Sequence, residues 1–306
     1  MDTRRIFSPA TVANVSCGFD AIAFALEALG DEMTFRKNES GEVRITRIEG
    51  AELPLEVDKN AAGVVAQRML TAANASFGVD IEIQKKYKPG SGLGSSAASS
   101  AGAAFAVNQM LGEPYEPTQL VKFSMLGEEA ACGSQIADNV AGAIFGGFVL
   151  VRSYHPLELV SIPTPSELFA VVVHPQIEVK TEDARRVLPK QIPVKHAVAQ
   201  WANVGGLISG LYSGDYDLIG RSLVDVVAEP FRKEFIPHFD LVKEQAIASG
   251  ALGAGISGSG PSIFALVKGR SQAEKVAKAM EAVYLENPVD HKIYISKIAN
   301  RGVRII

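Results

Sequence analysis

The sequence contains little cysteine and no long hydrophobic run, and each shortage excludes a class of protein. Two cysteines among 306 residues, Cys17 and Cys132, are too few for a disulfide scaffold or a cysteine-based metal site. The longest nearly apolar stretch, residues 141–151, is too short and too rich in glycine to cross a membrane. The first residues, Met-Asp-Thr-Arg-Arg, lack the apolar centre of a signal peptide, so no export is predicted. We therefore expect a cytoplasmic protein with no membrane partner.

An excess of positive charge is also absent. The formal net charge is −4, and no basic run occurs that would bind nucleic acid by bulk electrostatics. The five histidines are scattered and no Gly-x-Ser-x-Gly motif is present, so a serine-triad hydrolase is not indicated. With 47% hydrophobic and 21% charged residues, the chain is long enough for two globular domains with a substantial core.

The most distinctive stretch that is present is residues 89–99, Pro-Gly-Ser-Gly-Leu-Gly-Ser-Ser-Ala-Ala-Ser. Three glycines within five positions permit backbone conformations that a Cβ would forbid, and an alanine-rich helix is predicted directly behind them. The unpaired amides and the dipole at the start of such a helix favour an anion. The stretch lacks the lysine of a Walker motif and does not fit Gly-x-Gly-x-x-Gly. A phosphate-binding loop and an ordinary glycine turn both remain open from these residues alone.

Charged residues near this loop have two possible roles. The glutamates suggest a metal-binding site, and the lysines would raise the electrostatic potential at the loop. Glu128 and Glu129 fall in the last turn of a predicted helix, where the helix dipole disfavours negative charge. Binding of Mg²⁺, which prefers oxygen ligands, would account for one of them. Lys85, Lys86 and Lys88 precede the loop and would raise its potential, although a solvated strand end is the alternative.

Two further pairs of polar residues have both a structural and a functional interpretation. Asn14 and Asp20 flank the turn 16–18 in an apolar region, where they either tie the turn together or contact a ligand. Arg185 and Arg232 fall in separate segments, and two such arginines can clamp a carboxylate through bidentate bonds. Exposed surface positions are the other explanation for both arginines.

Hydrophobic periodicity predicts a mixed arrangement of helices and strands. Asp58 or Asn60 is expected to cap a helix of about four turns, Thr118 and Thr181 are expected to cap two later helices, and capping is one interpretation of Asn139. Residues 20–36 fit either a strand or a helix. The three prolines of residues 153–167 suggest a crossover between two halves, and a strand–helix–strand pattern follows after residue 263.

Three stretches together resemble one family. Residues 9–20, Pro-Ala-Thr-Val-Ala-Asn-Val-Ser-Cys-Gly-Phe-Asp, are similar to the opening motif of homoserine kinases. Residues 89–99 resemble the Pro-x₃-Gly-Leu-Gly-Ser-Ser phosphate motif, and residues 255–262 resemble a C-terminal glycine motif. Weaker similarities lie between them in the same order. The chain is thus identified as a member of the GHMP kinase superfamily, most similar to the homoserine kinases.

The resemblance implies a role for each matching residue. It implies that ATP is bound by Asn60 and by the loop residues Pro89, Gly90, Ser91, Gly92, Leu93, Gly94, Ser95, Ser96, Ala97, Ala98 and Ser99. Mg²⁺ would be held by Ser96 and Glu128. Asn14, Asp20 and Asn139 would lie at the reacting groups, with Asn14, Asp20, Arg185 and Arg232 binding the substrate. The family usually has a histidine where this chain has Ile136, so Gln135 would replace that contact or the acceptor would differ.

The resemblance also implies a fold and a reaction. The fold would be α+β with two domains, a ribosomal-protein-S5-domain-2-like domain over residues 1–160 and a ferredoxin-like domain over residues 161–306. The reaction would be ATP-dependent phosphorylation of L-homoserine to O-phospho-L-homoserine, a step of threonine biosynthesis. The alternatives are another GHMP kinase acting on a mevalonate-, shikimate- or sugar-alcohol-type acceptor, and a non-catalytic nucleotide-binding regulator. The small-molecule substrate would be the main partner, and a homodimer is compatible with the resemblance.

Overall fold

The computed structural model describes residues 2–306 and contains two β-sheets, each packed against helices. The first sheet contains β1 (Thr3–Ala13), β2 (Ile22–Asn38), β3 (Val43–Glu49), β4 (Gly78–Gln84), β5 (Phe148–Tyr154), β6 (Leu157–Ile162) and the short β11 (Arg304–Ile305). The second contains β7 (Leu168–Pro175), β8 (Gly253–Ile256), β9 (Ile263–Lys268) and β10 (His291–Lys297). The expected α+β class is confirmed.

Ten α-helices occur in the described part of the chain. They are α1 (Ala61–Ala72), α2 (Ser95–Met110), α3 (Pro117–Cys132), α4 (Asp138–Phe145), α5 (Thr181–Arg186), α6 (Val194–Ser213), α7 (Tyr216–Ser222), α8 (Glu229–Arg232), α9 (Phe239–Ala248) and α10 (Arg270–Glu286). Within residues 2–306, no helix combines the length and the apolar character needed to cross a bilayer.

The first sheet is organised around the long strand β2. Its first residues pair with β5, while its second half pairs with β4, and β1 runs antiparallel along most of its length. Strands β3 and β4 are parallel neighbours at one edge. Helix α2 packs against this sheet and contacts α1, α3 and α4. Because α2 is mostly alanine, serine and glycine, it can be buried on nearly all sides and approach its neighbours closely.

The second sheet has the order β10–β7–β9–β8 with antiparallel neighbours throughout. All eight residues of β7 are buried. Val171 and Val173 pack with α9 and α10, whereas Ala170 and Val172 belong to a core shared with the first sheet. In that shared core the rings of Phe24 and Phe264 lie 6.1 Å apart. The residues of β7 are mostly apolar along its whole length because both faces of this strand are buried.

The structure tests the residues that were expected to cap α1 and α3. Asn60 caps α1, since its Oδ1 accepts from the amides of Ala62 and Gly63 at 3.0 and 3.3 Å, which confirms that assignment. Thr118 does not cap α3: Glu116 does, in a reciprocal capping box with Gln119.

Four further expectations concern two helix caps and the conformation of two segments, residues 20–36 and 153–167. Lys180, not Thr181, occupies the N-cap of α5, without a side-chain hydrogen bond. Asn139 lies inside α4 and does not cap it, because Ala137 holds that position. The ambiguous residues 20–36 form most of β2. Residues 153–167, expected as a crossover, contain β6, which pairs with β5 before the chain enters the second sheet. Strand β11 then returns the end of the chain to the first sheet beside β1.

Candidate active site

A single cleft of about 770 Å³ collects most of the residues singled out in the sequence. Its walls come from the end of β1, the start of α2, the end of α3, the start of α4, and α5 and α8. The predicted site residues that line it are Asn14, Asp20, Asn60, Pro89, Gly90, Gly92, Gly94, Ser95, Ser96, Ser99, Glu128, Asn139, Arg185 and Arg232. Ser91, Leu93, Ala97 and Ala98 lie behind this wall, fully buried.

The glycines of the loop are required by its backbone. Gly90, Gly92 and Gly94 all have positive φ, at 70°, 78° and 64°. A Cβ on Gly92 would lie 2.5 Å from the carbonyl oxygen of Ser257, so this glycine also permits close contact with the second glycine motif. The Ser257 hydroxyl donates to the Gly92 carbonyl at 2.7 Å, and the Ser262 amide donates to Ser91 at 3.2 Å. The two distant glycine stretches therefore form one unit.

Helix α2 begins at Ser95, directly where the loop ends. Gly94 occupies the N-cap and provides no side-chain cap for the first amides. Neither serine hydroxyl caps the helix, and both Ser95 and Ser96 line the cleft. The amides of the first turn and the positive end of the dipole thus face the cleft, which is the arrangement that binds phosphate groups.

A buried ion pair supports the first turn of this helix from below. Lys85 Nζ donates to Asp31 Oδ2, to the Ser95 carbonyl at 2.9 Å and to Ser99 Oγ at 3.2 Å. Neither charged side chain of the pair has any exposed surface. The other carboxylate oxygen of Asp31 accepts from the Lys86 amide at 3.2 Å. Lys85 therefore holds the loop from inside and does not present its charge to the cleft.

Two buried carboxyl groups, Glu128 on α3 and Asp138 on α4, line the cleft. Burial is the main cause that raises the pKa of Glu128 to about 7, while the nearby Ser96 hydroxyl opposes this rise. Glu128 Oε1 is buried and has no hydrogen-bond partner among residues 2–306. Asp138 is equally buried, and burial followed by the charge of Asp20 raises its pKa to about 7. An unpartnered carboxylate oxygen next to a serine hydroxyl is a donor set that suits a hard cation.

The opposite wall is built on a strained turn. Asn14, Val15 and Ser16 are consecutive non-glycine residues with positive φ, which costs on the order of 1–3 kcal/mol each. Asn14 compensates by donating from Nδ2 to the Gly258 carbonyl at 2.7 Å and accepting the Asp20 amide at 3.0 Å. Asn14 therefore ties the turn together and also lines the cleft, while its contact with a ligand stays a prediction.

Two arginines converge on this wall. Arg185 donates from one nitrogen to both carboxylate oxygens of Asp20, at 2.9 and 3.0 Å, and its buried Nε has no partner in the described chain. Arg232 is 3% exposed and donates to the carbonyls of Ala184 and Gly258 at 3.0 and 2.9 Å. Burial lowers its pKa to about 10, so it stays charged at neutral pH. The Phe19 ring lies 4.9 Å from Arg232 Cζ and 6.0 Å from Arg185 Cζ, which favours both cations.

Gln135, expected to contact the substrate, is not among the residues that line the cleft. It is exposed, and its Nε2 donates to Glu129 at 2.8 Å. Ile136 lines the cleft in its place, so this part of the wall is apolar.

Sequence reasoning assigned no role to Asp138 or to Thr11. Asp138 stands next to Asn139 in the chain, and a carboxylate heading the apolar helix α4 is the signal that could have identified it. The Thr11 hydroxyl donates to Asn139 Oδ1 at 2.6 Å across 128 residues of sequence. A contact between such distant residues leaves no local pattern.

Comparisons with known proteins identify this chain as similar to kinases, in agreement with a phosphate-binding cleft. Residues 59–147 match the GHMP kinases N terminal domain, and residues 207–285 match the GHMP kinases C terminal family. The homoserine kinase of Chlorobium phaeobacteroides (strain DSM 266) is 47% identical over 100% of both chains. That of Chlorobaculum tepidum is 46% identical over 100% of this chain and 99% of the relative.

A solved structure extends the comparison to the fold. The crystal structure of homoserine kinase from Cytophaga hutchinsonii has a TM-score of 0.96 and 48% identity, covering 100% of this chain and 98% of that one. The two-domain fold expected from the motifs is thus confirmed. This chain belongs to the GHMP kinases and, within them, to the homoserine kinase family.

Proposed function

We propose that this protein transfers the γ-phosphoryl group of ATP to the hydroxyl of L-homoserine, producing ADP and O-phospho-L-homoserine. One observation carries the proposal: a single cleft has a phosphate loop and two buried carboxyl groups on one side and two arginines with Asp20 on the other. The relatives that match over the whole length are homoserine kinases, which supports the same acceptor.

The nucleotide would be held mainly through its phosphates. Residues 89–99 offer backbone amides, and the start of α2 adds the positive end of its dipole. Asn60 lines the cleft further along, with its side chain engaged in capping α1, so it would meet the nucleotide as part of a rigid wall.

Mg²⁺ would be held by Glu128 and Ser96. The unpartnered Oε1 of Glu128 and the adjacent hydroxyl provide two oxygen donors, which leaves room for phosphate oxygens and water around the ion. When bound, Mg²⁺ would neutralise part of the charge on the phosphates. Deprotonation of Glu128 would accompany binding, because its buried carboxyl group otherwise titrates near pH 7.

The acceptor would lie against Arg185 and Arg232. The unpartnered Nε of Arg185 is a buried donor suited to a carboxylate, and Arg232 adds a second cation close by. Asp20 and Asp138 would face the amino group, whose positive charge would favour the ionised form of Asp138. Asn14 and Asn139 would then lie near the hydroxyl that accepts the phosphoryl group.

The chemistry would depend on alignment and charge neutralisation and would need no strong general base. Both carboxylate oxygens of Asp20 already accept from Arg185, which makes Asp20 a poor candidate for removing the hydroxyl proton. Phosphoryl transfer through a loose transition state requires little proton removal at the start. The residues of both walls would hold the hydroxyl in line with the phosphorus.

An acceptor panel tests the proposal. ADP release would be measured with L-homoserine, mevalonate, shikimate and a sugar alcohol, for the parent protein and for Ile136→His. We expect turnover on homoserine by the parent. Turnover on another acceptor alone would favour the second candidate, a GHMP kinase of different specificity. ATP binding without turnover on any acceptor would favour a nucleotide-binding regulator.

We also propose that the protein forms a homodimer through α6. Val194, Val198, Trp201 and Tyr212 of this helix are 75%, 47%, 59% and 58% exposed. A Cβ on Gly205, in the same helix, would contact nothing within 4 Å, so no packing within the chain accounts for this glycine. Lys195 is the one charged residue among the twenty of α6, and a nearly uncharged apolar face is complementary to itself.

Sedimentation at micromolar concentration tests the dimer. Trp201→Lys is expected to give a monomer. Leu285→Lys is the matched control, because Leu285 is 69% exposed on α10, and it should leave the dimer intact. A parent protein that sediments as a monomer would contradict this interface.

A further inference from the structure

We infer that Thr11 is a positioning residue that fixes the amide of Asn139 and aligns it with the phosphate loop. The inference rests on the proposed kinase function. Thr11 lies in β1, is fully buried, and is not among the residues that line the cleft. It would therefore act on the reaction through Asn139 and the loop, which both reach the cleft.

The amide, the hydroxyl and the methyl group of Thr11 each have a specific contact. Its amide donates to the Leu93 carbonyl in the phosphate loop at 3.1 Å. Its hydroxyl donates to Asn139 Oδ1 at 2.6 Å. Its methyl group faces Gly142, where a Cβ would lie 3.3 Å from Thr11 Cγ2. Because a β-branched side chain has few χ1 rotamers, these contacts hold the hydroxyl in one direction.

The contacts with Thr11 and Asp138 together determine which end of the Asn139 amide faces the cleft. With Oδ1 accepting from Thr11, Nδ2 lies 3.4 Å from Asp138 Oδ1. Rotating the amide by half a turn would place Oδ1 against that carboxylate, so that two acceptors would face each other. Nδ2 is therefore the end available to an oxygen in the cleft. Asn139 would present a donor, which suits a phosphoryl oxygen that gains charge in the transition state.

The phosphate loop also contacts the Thr11 and Asn139 side chains, through Gly94. A Cβ on Gly94 would lie 2.1 Å from Thr11 Oγ1 and 2.9 Å from Asn139 Oδ1. The last loop glycine thus rests directly on the Thr11–Asn139 pair, immediately before the first turn of α2. A shift in this pair would change the distance between the phosphate loop and the acceptor wall, to which in-line transfer is sensitive.

Thr11→Val tests the inference, because it keeps the shape of the side chain and removes the hydroxyl. We expect kcat on homoserine to fall by about 10- to 100-fold, as for small misalignments of reacting groups. The KM for ATP and the Kd for ATP measured by calorimetry should stay within about threefold, since the loop amides are unchanged. Thr11→Ser restores the hydroxyl and should recover most of kcat.

A double-variant cycle separates positioning from general damage. In the Asn139→Ala background, Thr11→Val should lower kcat by less than about twofold, because the amide that it orients is absent. If Thr11→Val keeps parental kcat, if Thr11→Ser is as slow as Thr11→Val, or if the effect persists in the Asn139→Ala background, the inference is wrong. A melting curve for each variant confirms that it is folded.

A measurement without turnover keeps this test apart from the test of the proposed function. With ¹⁵N-labelled asparagine, the Asn139 side-chain NH₂ signal is assigned by its loss in Asn139→Ala. It should shift and exchange faster with solvent in Thr11→Val than in Thr11→Ser. An unchanged signal refutes the role of Thr11 whatever the substrate is. Absence of parental turnover on homoserine refutes the proposed acceptor and leaves the Thr11 result standing.

Discussion

The buried pair of Lys85 and Asp31 gives a prediction that depends on the fold alone. Substituting Lys85→Met removes the ammonium and keeps the aliphatic chain in place. Asp31 then retains one hydrogen bond, from the Lys86 amide, while its side chain has no access to water. The Ser95 carbonyl and the Ser99 hydroxyl lose the donor that connects them to the end of β4.

The magnitude follows from the complete burial of both charges. Removing one partner of a buried ion pair costs about 3–5 kcal/mol, because the remaining charge is uncompensated. Burial already acts to raise the pKa of Asp31, and Lys85 opposes this effect. Without Lys85 the carboxyl group would have a raised pKa in the folded state. A group of that kind stabilises the fold below its unfolded pKa, near 3.9, and loses that contribution as the pH rises. The deficit should therefore be larger at pH 8 than at pH 5.

Urea unfolding at both pH values measures this deficit as a shift in the midpoint at constant slope. The double variant Asp31→Asn, Lys85→Met removes both charges and should recover at least half of the loss. Arg36→Gln is the control, because Arg36 pairs with Glu82 across the same two strands at a half-exposed position. It should cost less than about 1 kcal/mol. A Lys85→Met protein within 1 kcal/mol of the parent at both pH values would refute the reasoning.

Three further predictions concern the metal, acid stability and the loop. Glu128→Gln should lower Mg²⁺-dependent turnover by about 100-fold or more while the melting temperature is kept, and near-parental turnover would reject the metal assignment. Burial lowers the pKa of His174 to about 4, so this residue should contribute a loss of stability as the pH falls from 6.5 to 4, and the parent should lose more stability over that range than His174→Leu in acid titrations. Gly92→Ala should weaken ATP binding about tenfold, because its φ is 78° and the Ser257 carbonyl is too close; an unchanged Kd in calorimetry would contradict this.

The local elements of the site could be predicted because their signals are short in sequence. Three alternating glycines ahead of an alanine-rich run indicate a loop whose glycines have positive φ and which leads into a helix. The structure has both the loop and the helix. Asn60 before an apolar periodic segment indicates an N-cap, which its two accepted amides confirm. The helical position of Glu128 suggested a metal role, and its unpartnered oxygen supports that proposal.

Errors arose where tertiary contacts outweigh local propensity. The crossover expected over residues 153–167 also contains β6, because its three prolines, at positions 156, 163 and 165, lie just outside Leu157–Ile162 and leave that strand free to pair with β5. The three lysines before the loop looked alike in the sequence. Lys85 is buried against Asp31, whereas Lys86 reaches Glu32 at a half-exposed position. The two lysines thus differ in how deeply their side chains are buried, and that depth depends on which strands become neighbours.

By itself, the sequence determined the glycine-rich loop, the cap of α1 and a mixed pattern of helices and strands, since glycine conformation, helix caps and apolar periodicity are local properties. The fold class and the roles of the candidate polar residues came from its resemblance to the GHMP kinases. Only the tertiary structure decided which of those residues share a cleft. It excluded Gln135, included Asp138, turned Lys85 inward and placed Thr11 against Asn139. These outcomes depend on contacts between residues far apart in the chain, because packing two sheets around one shared core fixes which side chains meet.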